Sequence, residues 1–556
     1  MPILRKSVLS VLVAFSPALL APALAQSAPS YPHLEKRGRV TQLIVDGKPF
    51  LALAGELHNS SASSMAYMQP IWPKLVKMNL NTVLATVSWD SIEPQEGKFD
   101  FSLVDGLLQD ASAHHLHLVL LWFGSWKNGI SSYDPAWVKS NQQRFPLVRI
   151  ASGKSEQVLS TLAPANWEAD ARAFRALMRH VRAVDSTTHT VVMIQVENEV
   201  GLLGDSRDRS AAANEAFAKP VPKELMDYMQ KNKEHLLPEL RKVWDAAGGK
   251  TSGTWEDVFG KGTAADEAFM AWHYARYIDH VAEAGKAEYA LPMYVNTWIV
   301  QPQDKKPGDY PSGGAEDHVH DIWQAGAPHI DILCPDIYLP NFQELVTRYS
   351  RNNNPLFIPE SFAGERGAAN AFYAFGEAGA IGYSPFGIEQ GGDSGGGAIP
   401  KAYDVLSQLA PLIAAHQQEG TVAAVVLDRE HSSRKIRMGD YTLNVELRGN
   451  RRSPQQLSAS GYGLFLPLGP AEYLAAGSNV QVTFTPNTPG PPVAGLSLVE
   501  EGNYVNGRWI PGRMLNGDEI QLRYDLDTAA GEDQSGQGLR FGPDGPTIQR
   551  VTLYRY

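Results

Sequence analysis

Eight short apolar segments, separated by longer stretches with a helical pattern, constrain the fold of this 556-residue chain more than any other feature. Helical patterns such as 266–285 and 368–377 lie between them. Eight β/α units predict an α/β fold, a closed (β/α)8 TIM barrel. The alternative is an open doubly wound sheet, but no glycine-rich phosphate loop follows the first segment. The apolar segments are residues 50–58, 82–89, 117–124, 190–199, 292–298, 332–338, 355–360 and 380–387.

The residue pattern changes after a last amphipathic helix, which is predicted at about 400–418. Residues 422–556 show short alternating runs separated by turns rich in Gly, Pro and Asn, without a convincing helical pattern. This pattern predicts a C-terminal all-β sandwich or jelly-roll. We therefore expect the barrel to cover residues 26–417 and the β domain to cover 418–556. Because no flexible linker sequence separates them, the two are expected to pack together.

The first 25 residues have the pattern of a signal peptide. Two basic residues precede an apolar stretch at 7–20, and an Ala-x-Ala signal ends at Ala25. A transmembrane anchor is the alternative, and the short span together with Pro17 and Pro22 disfavours it. We therefore expect cleavage after about Ala25, no stable membrane span, and an exported protein that is periplasmic or secreted.

Composition excludes several classes of partner. A net charge of −11 argues against a nucleic acid or an anionic membrane surface. The single cysteine, Cys334, excludes an intrachain disulfide and is expected to be a small buried hydrophobe. The acidic and histidine cluster at 316–321 is expected to begin a helix, and no zinc spacing or calcium loop is present. We therefore predict no obligatory metal and no other cofactor.

Polar residues at the ends of two predicted strands indicate the chemistry. The fourth apolar segment ends in Gln195, Glu197, Asn198 and Glu199, and the seventh ends in Glu360. Burying an unpaired carboxylate costs several kcal/mol, so these side chains are expected to face a polar cavity. Paired carboxylates at the carboxyl ends of barrel strands indicate acid/base chemistry on a sugar. The structural alternative for Glu199 is a salt-bridged carboxylate.

Other strand ends add carboxylates, amides and aromatic rings, a set that fits a glycosidase better than a serine or metal hydrolase. The tryptophans have two interpretations, as platforms for sugar rings or as packing within the wall. Glu93 precedes Pro94 and is expected to shape a loop instead of reacting. Besides the catalytic pair Glu199 and Glu360, the predicted substrate-binding residues are Glu56, His58, Trp89, Trp122, Trp126, Asn198, Asn296, Trp298, Tyr338 and Glu389.

The barrel sequence resembles the retaining β-glycosidases of the large (β/α)8 clan, with Asn-Glu ending strand four and Glu ending strand seven. More narrowly, it resembles a bacterial member of glycoside hydrolase family 35, the β-galactosidases. The most specific stretch is NLNTVLATVSWDSIEPQEGKFDF from Asn79, with its N-T, W, E-P, G and F-D-F positions. GELH from Gly55, QVENEVG from Gln195 and IPE from Ile358 also match.

The resemblance implies a role for each matching residue. Glu199 would be the general acid/base, Glu360 the nucleophile, Asn198 the partner of the sugar 2-hydroxyl, and Tyr338 the residue that holds the nucleophile's carboxylate. The chain departs from the family pattern at Asn59, where many members have Tyr. It also departs at 122–126, where they have Ala-Glu-Trp. Both departures lie where galactose would sit.

These observations together predict an exported exo-β-galactosidase that removes terminal β-galactose from oligosaccharides or polysaccharides, for example plant cell-wall fragments of the xyloglucan type. The expected partner is a carbohydrate substrate. The alternatives are another β-glycosidase of the clan (a β-glucosidase, a β-mannosidase or an endo-β-glycanase), an inverting hydrolase, and a carbohydrate-binding protein without catalysis.

Overall fold

Eight parallel strands form a closed ring in the computed structural model, which describes residues 31–390, 397–450, 453–522 and 536–556. The predicted signal peptide lies outside the described residues. The ring confirms the predicted barrel, and each strand lies within or across one of the eight apolar segments. The strands are Ala52–Glu56, Thr82–Ser88, His117–Lys127, Val191–Asn198, Met293–Trp298, Ile332–Ile337, a seventh in two parts (Phe357–Ile358 and Glu360–Ser361), and Gly382–Tyr383.

The seventh strand is divided because Pro359 lacks the N–H group that a ladder requires. Its first part pairs with the eighth strand, and its second part pairs with the sixth. The ring is therefore closed through the two parts of one strand. In this register Glu360 lies opposite Asp336 of the sixth strand.

The interior of the ring is filled by apolar side chains that alternate along the strands, as expected for a barrel of this size. Leu84, Leu121, Tyr294 and Phe357 are among the buried side chains of this interior cluster. Cys334 belongs to the same cluster, which confirms the prediction of a small buried hydrophobe. Because the middle of the barrel is packed, polar chemistry is confined to the carboxyl ends of the strands.

Helices surround the ring, and the long helices Pro164–Asp185 and Thr263–Lys286 pack against each other outside the third and fourth strands. The predicted cluster at 316–321 forms a short 3-10 turn followed by a helix, as expected. The barrel helices are Met65–Met68, Trp72–Lys77, Trp89–Ile92, Ser102–Ala113, Ala136–Lys139, Pro164–Asp185, Thr263–Lys286, His320–Gly326, Phe342–Tyr349, Gly364–Gly376 and Ala398–Glu419. An insertion after the fourth strand adds Ala211–Phe217, Lys223–Lys231, Pro238–Ala246 and Trp255–Phe259.

A small antiparallel sheet that the sequence analysis did not predict precedes the barrel. Its strands are His33–Arg37, Val40–Val45 and Lys48–Phe50. Leu43 and Val45 are buried in the same cluster as the barrel interior. This sheet therefore covers the amino-terminal end of the ring. A second unpredicted hairpin, Leu147–Arg149 with Ser155–Leu159, follows the third strand.

The C-terminal residues form two main antiparallel sheets with a hydrophobic core between them, which confirms the predicted sandwich. Two short strand pairs add to them, Gly449–Asn450 with Ser453–Leu457 and Gln521–Leu522 with Gly536–Gln537. The predicted run at 520–527 extends into residues outside the described part of the chain. The larger sheet contains Ala423–Asp428, Ser460–Gly469, Glu472–Ser478, Thr547–Arg555, Ala494–Val505 and Arg508–Met514 in spatial order. The smaller sheet contains Ser433–Met438, Tyr441–Leu447, Val480–Pro486 and Leu539–Arg540.

The larger sheet packs on the barrel helix Gly364–Gly376. The rings of Phe372 and Tyr462 meet edge to face at 4.8 Å, and Leu464 is fully buried between the two parts. A Cβ on Gly376 would lie 2.6 Å from the Cβ of Ala424, so glycine is required at this contact. The two parts therefore share one apolar core.

Among the described residues, no helix is both long and apolar enough to cross a bilayer.

Shortening Leu464 tests whether this contact stabilises the whole chain. Leu464→Ala is expected to lower the free energy of unfolding by about 2–5 kcal/mol, because the surrounding helix and sheet cannot close the cavity. Thermal and urea unfolding measure the change. Val505→Ala is the control: Val505 is 51% exposed, and its truncation is expected to change stability by at most about 0.5 kcal/mol. Equal stability of the two variants would contradict a shared core.

Candidate active site

The structure brings the two predicted catalytic glutamates together at the carboxyl ends of the strands. Glu199 follows the fourth strand, and Glu360 lies in the second part of the seventh. One carboxyl oxygen of each, and one of Asp336 on the sixth strand, lie within 4.8 Å of one another. All three side chains are buried. The apolar barrel interior therefore supports a compact acidic cluster at its open end.

The backbone around Glu199 is unusual and is fixed by a side chain from the fifth strand. Glu197 and Glu199 both have left-handed conformations, with φ of 65° and 44°. Such conformations are rare for residues other than glycine and persist only where neighbouring contacts hold them. The N–H of Glu199 donates to Oδ1 of Asn296 at 2.9 Å. Nδ2 of Asn296 donates in turn to Oδ2 of Asp336 at 2.7 Å. Asn296 therefore orients the acidic cluster from within.

The surroundings of Glu199 favour its protonated form. Burial, followed by the negative charge of Glu360, raises the pKa of Glu199 to about 7. The positive charge of Lys127 and a hydrogen bond with Asp336 oppose this rise. A carboxyl group with a pKa near neutrality can donate a proton in one step and accept one in the next.

Glu360 is held by two hydrogen-bond donors that stay protonated. The hydroxyl of Tyr338 donates to Oε2 of Glu360 at 2.9 Å, and Nδ2 of Asn296 lies 3.4 Å from Oε1. Burial and the charge of Glu360 hold the pKa of Tyr338 well above its usual range, so the phenol stays protonated. The contact predicted between Tyr338 and Glu360 is therefore present in the structure.

Two further predicted residues present polar atoms without partners at the same place. Both amide atoms of Asn198 and both carboxyl oxygens of Glu56 are buried and make no hydrogen bond within the protein. Burial, followed by the charge of Glu360, raises the pKa of Glu56 well above its usual range. Unpartnered buried polar atoms are destabilising, and the hydroxyl groups of a ligand can satisfy them.

Glu389 and His58 form one unit at the rim of the mouth. Oε1 of Glu389 accepts the backbone N–H of His58 at 2.9 Å and the hydroxyl of Ser61 at 2.6 Å. The ring of His58 stacks on Phe386 at 4.8 Å, and Nδ1 is buried without a partner. Gly387 makes this stack possible, because a Cβ there would lie 2.3 Å from the imidazole ring.

The four predicted tryptophans divide into two groups. Three are fully buried, and their indole N–H groups donate to protein atoms: Trp89 to Glu93, Trp122 to Asp170, and Trp126 to the carbonyl oxygen of Leu159. For these three the structure favours packing within the wall over a sugar platform. Trp298 is partly exposed at the end of the fifth strand. Glu93 also accepts the N–H of Gly97, which confirms its role in shaping a loop.

Two residues near the cluster were missed by the sequence analysis. Asp336 lies two positions before Tyr338 in the sixth strand, so the alternation of a strand places both on the same face and could have revealed it. Lys127 follows an irregular part of the third strand, where alternation gives no guide. Its charge acts on both Glu56 and Glu199, and its Nζ lies 5.2 Å from the centroid of the Phe123 ring.

Within the described part of the chain, Glu199, Asp336 and Glu360 are the acidic or histidine side chains that lie close enough together to hold a cation. Burial raises the pKa of Asp336 well above its usual range, and the neighbouring Glu360 and Glu199 add to the rise. A cation would require all three groups to be ionised. Protonated carboxyl groups and the donors Asn296 and Tyr338 suit these environments better than a metal.

Comparison with known proteins relates the barrel to β-galactosidases. A family model described as "Beta-galactosidase", that of glycoside hydrolase family 42, matches residues 64–267, which include Glu199 but end before Glu360. A model described as a domain of unknown function, DUF5597, matches residues 399–526 in the last barrel helix and the β domain. The matching barrel model is that of family 42, so membership of family 35 is not confirmed.

The chain is 27% identical over 276 residues to a β-galactosidase of Xanthomonas manihotis, covering 47% of this chain and 43% of the relative. It is 38% identical over 66 residues to β-galactosidase 11 of Arabidopsis thaliana, covering 11% and 7% respectively. The chain thus spans less than half the length of these relatives. A solved β-galactosidase from the psychrophilic Marinomonas ef1 has a TM-score of 0.44 at 12% identity, covering 66% of this chain and 61% of that one. The family model and the sequence relatives show that parts of this chain are similar to β-galactosidases.

The influence of Glu360 on Glu199 can be measured directly. Glu360→Gln removes a negative charge that disfavours ionisation of Glu199, so the pKa of Glu199 is expected to fall from about 7. It is expected to stay above the ordinary value of about 4.3, because burial is the larger cause. Carbon NMR titration of labelled glutamate carboxyl groups measures it, with the exposed Glu344→Gln as control. An unchanged pKa in Glu360→Gln would contradict the coupling.

Proposed function

We propose that this protein, built on a β-galactosidase-like barrel, is a retaining exo-β-galactosidase that removes terminal β-galactose from oligosaccharides or polysaccharides. The observation that carries the proposal is the Glu199–Glu360 pair. The surroundings of Glu199 favour its protonated form, and Glu360 accepts a hydrogen bond from Tyr338. Retaining glycosidases place their carboxyl groups roughly 5–5.5 Å apart and inverting ones roughly 6.5–9.5 Å apart. The cluster, with oxygens within 4.8 Å, supports retention.

In the first step the carboxylate of Glu360 attacks the anomeric carbon of the sugar. The bond from that carbon to the leaving oxygen breaks, and Glu199 gives its proton to that oxygen. The product of this step is a covalent glycosyl-enzyme. Tyr338 and Asn296, which donate to Glu360, orient its oxygens for attack. Glu199 is left as a carboxylate.

In the second step the carboxylate of Glu199 takes a proton from a water molecule. The water oxygen attacks the anomeric carbon, the bond to Glu360 breaks, and the sugar leaves with its original anomeric configuration. A group with a pKa near neutrality suits both steps, because it must lose a proton and regain one in each cycle. Asn198 is the proposed partner of the sugar 2-hydroxyl, which is supported by its two buried amide atoms that have no hydrogen-bond partner within the protein.

Galactose is proposed as the sugar because the family model and both sequence relatives carry the name β-galactosidase. We also propose export, supported by the N-terminal pattern of residues 1–25. Exported enzymes act on material from outside the cell, so galactosylated plant cell-wall fragments such as those of xyloglucan are the proposed substrates. Trp298 offers a partly exposed ring for such a sugar chain.

The second candidate is another β-glycosidase of the clan, acting on β-glucosides, β-mannosides or the interior of a β-glycan. The observation in its favour is the departure from the family pattern at Asn59 and at residues 122–126. A binding protein without catalysis is less well supported. It would have no need of both Glu199 and Glu360 with their separate sets of donors.

A panel of aryl β-glycosides tests the sugar and the outcome together. The wild-type protein is expected to hydrolyse the aryl β-galactoside faster than the β-glucoside and the β-mannoside, and to release the β-anomer first. Absorbance of the released phenol measures the rates, and proton NMR in the first minutes identifies the anomer. No turnover of the β-galactoside would refute the proposed specificity, and initial release of the α-anomer would refute retention.

Chemical rescue with azide tests the roles of the two glutamates. In Glu360→Gly, azide is expected to fill the space of the missing nucleophile and yield α-galactosyl azide from an activated β-galactoside. In Glu199→Gly, azide is expected to attack the glycosyl-enzyme and yield β-galactosyl azide, because Glu360 still forms the intermediate. NMR of the azide products distinguishes the two. The opposite assignment of products would reverse the proposed roles.

A further inference from the structure

Two carboxyl groups behind the active site take no part in the mechanism above. Asp170 lies on the helix Pro164–Asp185, and Glu197 lies on the fourth strand two residues before Glu199. Both are fully buried, and their carboxyl oxygens converge on Gly124, where a Cβ would lie 2.5 Å from Oε1 of Glu197 and 2.9 Å from Oδ1 of Asp170. Two buried carboxyl groups this close together repel each other strongly when both are ionised, so one of them keeps a proton. Burial accordingly raises the pKa of both groups.

Four hydrogen bonds reach the two carboxyl groups from one short part of the third strand, and a longer fifth runs from the hydroxyl of Tyr277 to Oδ2 of Asp170 at 3.5 Å. Glu197 accepts the backbone N–H of Ser125 at 3.0 Å and that of Trp126 at 2.7 Å. Asp170 accepts the indole N–H of Trp122 at 2.9 Å and the hydroxyl of Ser125 at 2.6 Å. The carboxyl pair thus binds a single segment of backbone and side chains.

That segment is where the third strand leaves its regular pairing with the fourth. Trp122 lies opposite Val196 and Lys127 lies opposite Asn198, so the four residues 123–126 face Glu197 alone. Residues 123–126 are called the third-strand bulge below. Bulges of this kind redirect the chain and need a partner for their unpaired backbone groups. The carboxylate of Glu197 is that partner for two N–H groups.

The chain beyond the bulge reaches the catalytic glutamate. The N–H of Asn128 donates to the carbonyl oxygen of Asn198 at 3.2 Å, and the N–H of Gly129 donates to that of Glu199 at 3.0 Å. Lys127, whose charge acts on Glu199, lies directly between the bulge and these bonds. The shape of the bulge therefore sets the backbone position of Glu199. It also sets the position of Lys127, whose positive charge acts on Glu199.

Gly124 shows how closely the pair fits the bulge. A Cβ at this position would lie 2.5 Å from Oε1 of Glu197, 2.9 Å from Oδ1 of Asp170 and 2.4 Å from the indole nitrogen of Trp122. These distances are shorter than any normal contact. The bulge therefore packs so closely around the two carboxyl groups that position 124 has no room for a side chain.

We propose that Asp170 and Glu197 are positioning residues that share one buried proton, and that this pair fixes the third-strand bulge so that Lys127 and Glu199 take their catalytic places. The proposal rests on the proposed role of Glu199. Neither residue of the pair touches the substrate. Their effect on the reaction passes through the bulge and the backbone of Glu199.

The surrounding donors indicate which member carries the proton. Both oxygens of Glu197 accept backbone N–H groups, which cannot reverse their direction. From the described residues, Asp170 accepts only one donor of fixed direction, the indole N–H of Trp122. Its other oxygen faces the hydroxyl of Ser125, which lies 2.6 Å from the hydroxyl of Tyr277, and either hydroxyl of that contact can be the donor. Hydroxyl groups rotate to suit a neighbour that gains or loses a proton. Glu197 is therefore the ionised member, and Asp170 is the protonated one.

This assignment predicts opposite outcomes for two matched amide variants. Asp170→Asn replaces a protonated carboxyl group by a neutral amide of the same shape, so kcat/KM for the best aryl glycoside is expected to stay within about threefold. Glu197→Gln turns an NH2 group toward a backbone N–H, so kcat is expected to fall about tenfold or more, with a smaller change in KM. Equal losses in the two variants, or a greater loss in Asp170→Asn, would overturn the assignment.

Glu93→Gln is the control for loss of a buried carboxylate as such. Glu93 is also fully buried and accepts an indole N–H and a backbone N–H, but it lies in the loop after the second strand. The Glu93→Gln variant is expected to have lower thermal stability but an unshifted basic limb in its pH–rate profile. Glu197→Gln is expected to shift that limb, because the place of Lys127 relative to Glu199 changes. The other titratable groups that interact with the pair are Tyr277, on which both carboxyl groups act, and Asp134, on which Asp170 acts. An unshifted basic limb in Glu197→Gln would contradict the proposal.

Infrared spectroscopy tests the shared proton independently of activity and of any variant at Glu197. The wild-type protein at neutral pH is expected to show a carboxylic-acid carbonyl band that is lost in Asp170→Asn and therefore appears in the wild-type-minus-variant difference spectrum. The band is expected to remain in Glu199→Gln. If Asp170→Asn removes no acid band, the shared proton is refuted. This measurement stands even if the wild-type protein hydrolyses no β-galactoside, so failure of the proposed function and failure of the pair are distinguishable.

Discussion

Mutual repulsion among buried carboxyl groups is the constraint on which the rest of this active site depends. Glu199, Asp336 and Glu360 approach one another within 4.8 Å where little water can separate their charges. Like charges at this distance cannot all be ionised in a buried site, so protons must remain on some of them. Hydrogen bonds and burial provided by the surrounding strands then determine which group keeps a proton. Tyr338 donates to Glu360, while burial and repulsion favour a proton on Glu199.

The barrel and this pair could be predicted from the sequence because both depend on local patterns. Each parallel strand buried on both faces is a short apolar run, and its carboxyl end opens into the mouth, so polar residues such as Glu199 and Glu360 stand out. The contact of Tyr338 with Glu360 came from the family resemblance. The alternation of the sixth strand could also have led to Asp336, since it shares a face with Tyr338.

The remaining features depend on contacts between distant parts of the chain, which no local pattern contains. Lys127 reaches the site because four residues bulge out ahead of it, and a bulge breaks the alternation that assigns faces. Trp122 and Trp126 follow a strand end, yet a helix and a hairpin outside the ring cover them. The antiparallel sheet at 33–50 was missed because its short strands lie before the first apolar run.

The active site illustrates how function and stability oppose each other in one place. Asn198 and Glu56 hold four buried polar atoms that no other described group of the protein satisfies, and a buried polar group left without any hydrogen bond costs about 1–3 kcal/mol. Glu197 and Glu199 add left-handed backbone conformations. The apolar barrel interior and the shared core with the β domain offset these effects. A polyhydroxylated ligand that satisfies the four atoms therefore removes a destabilising feature of the free protein, and this gain contributes to binding only for sugars whose hydroxyl groups match their positions.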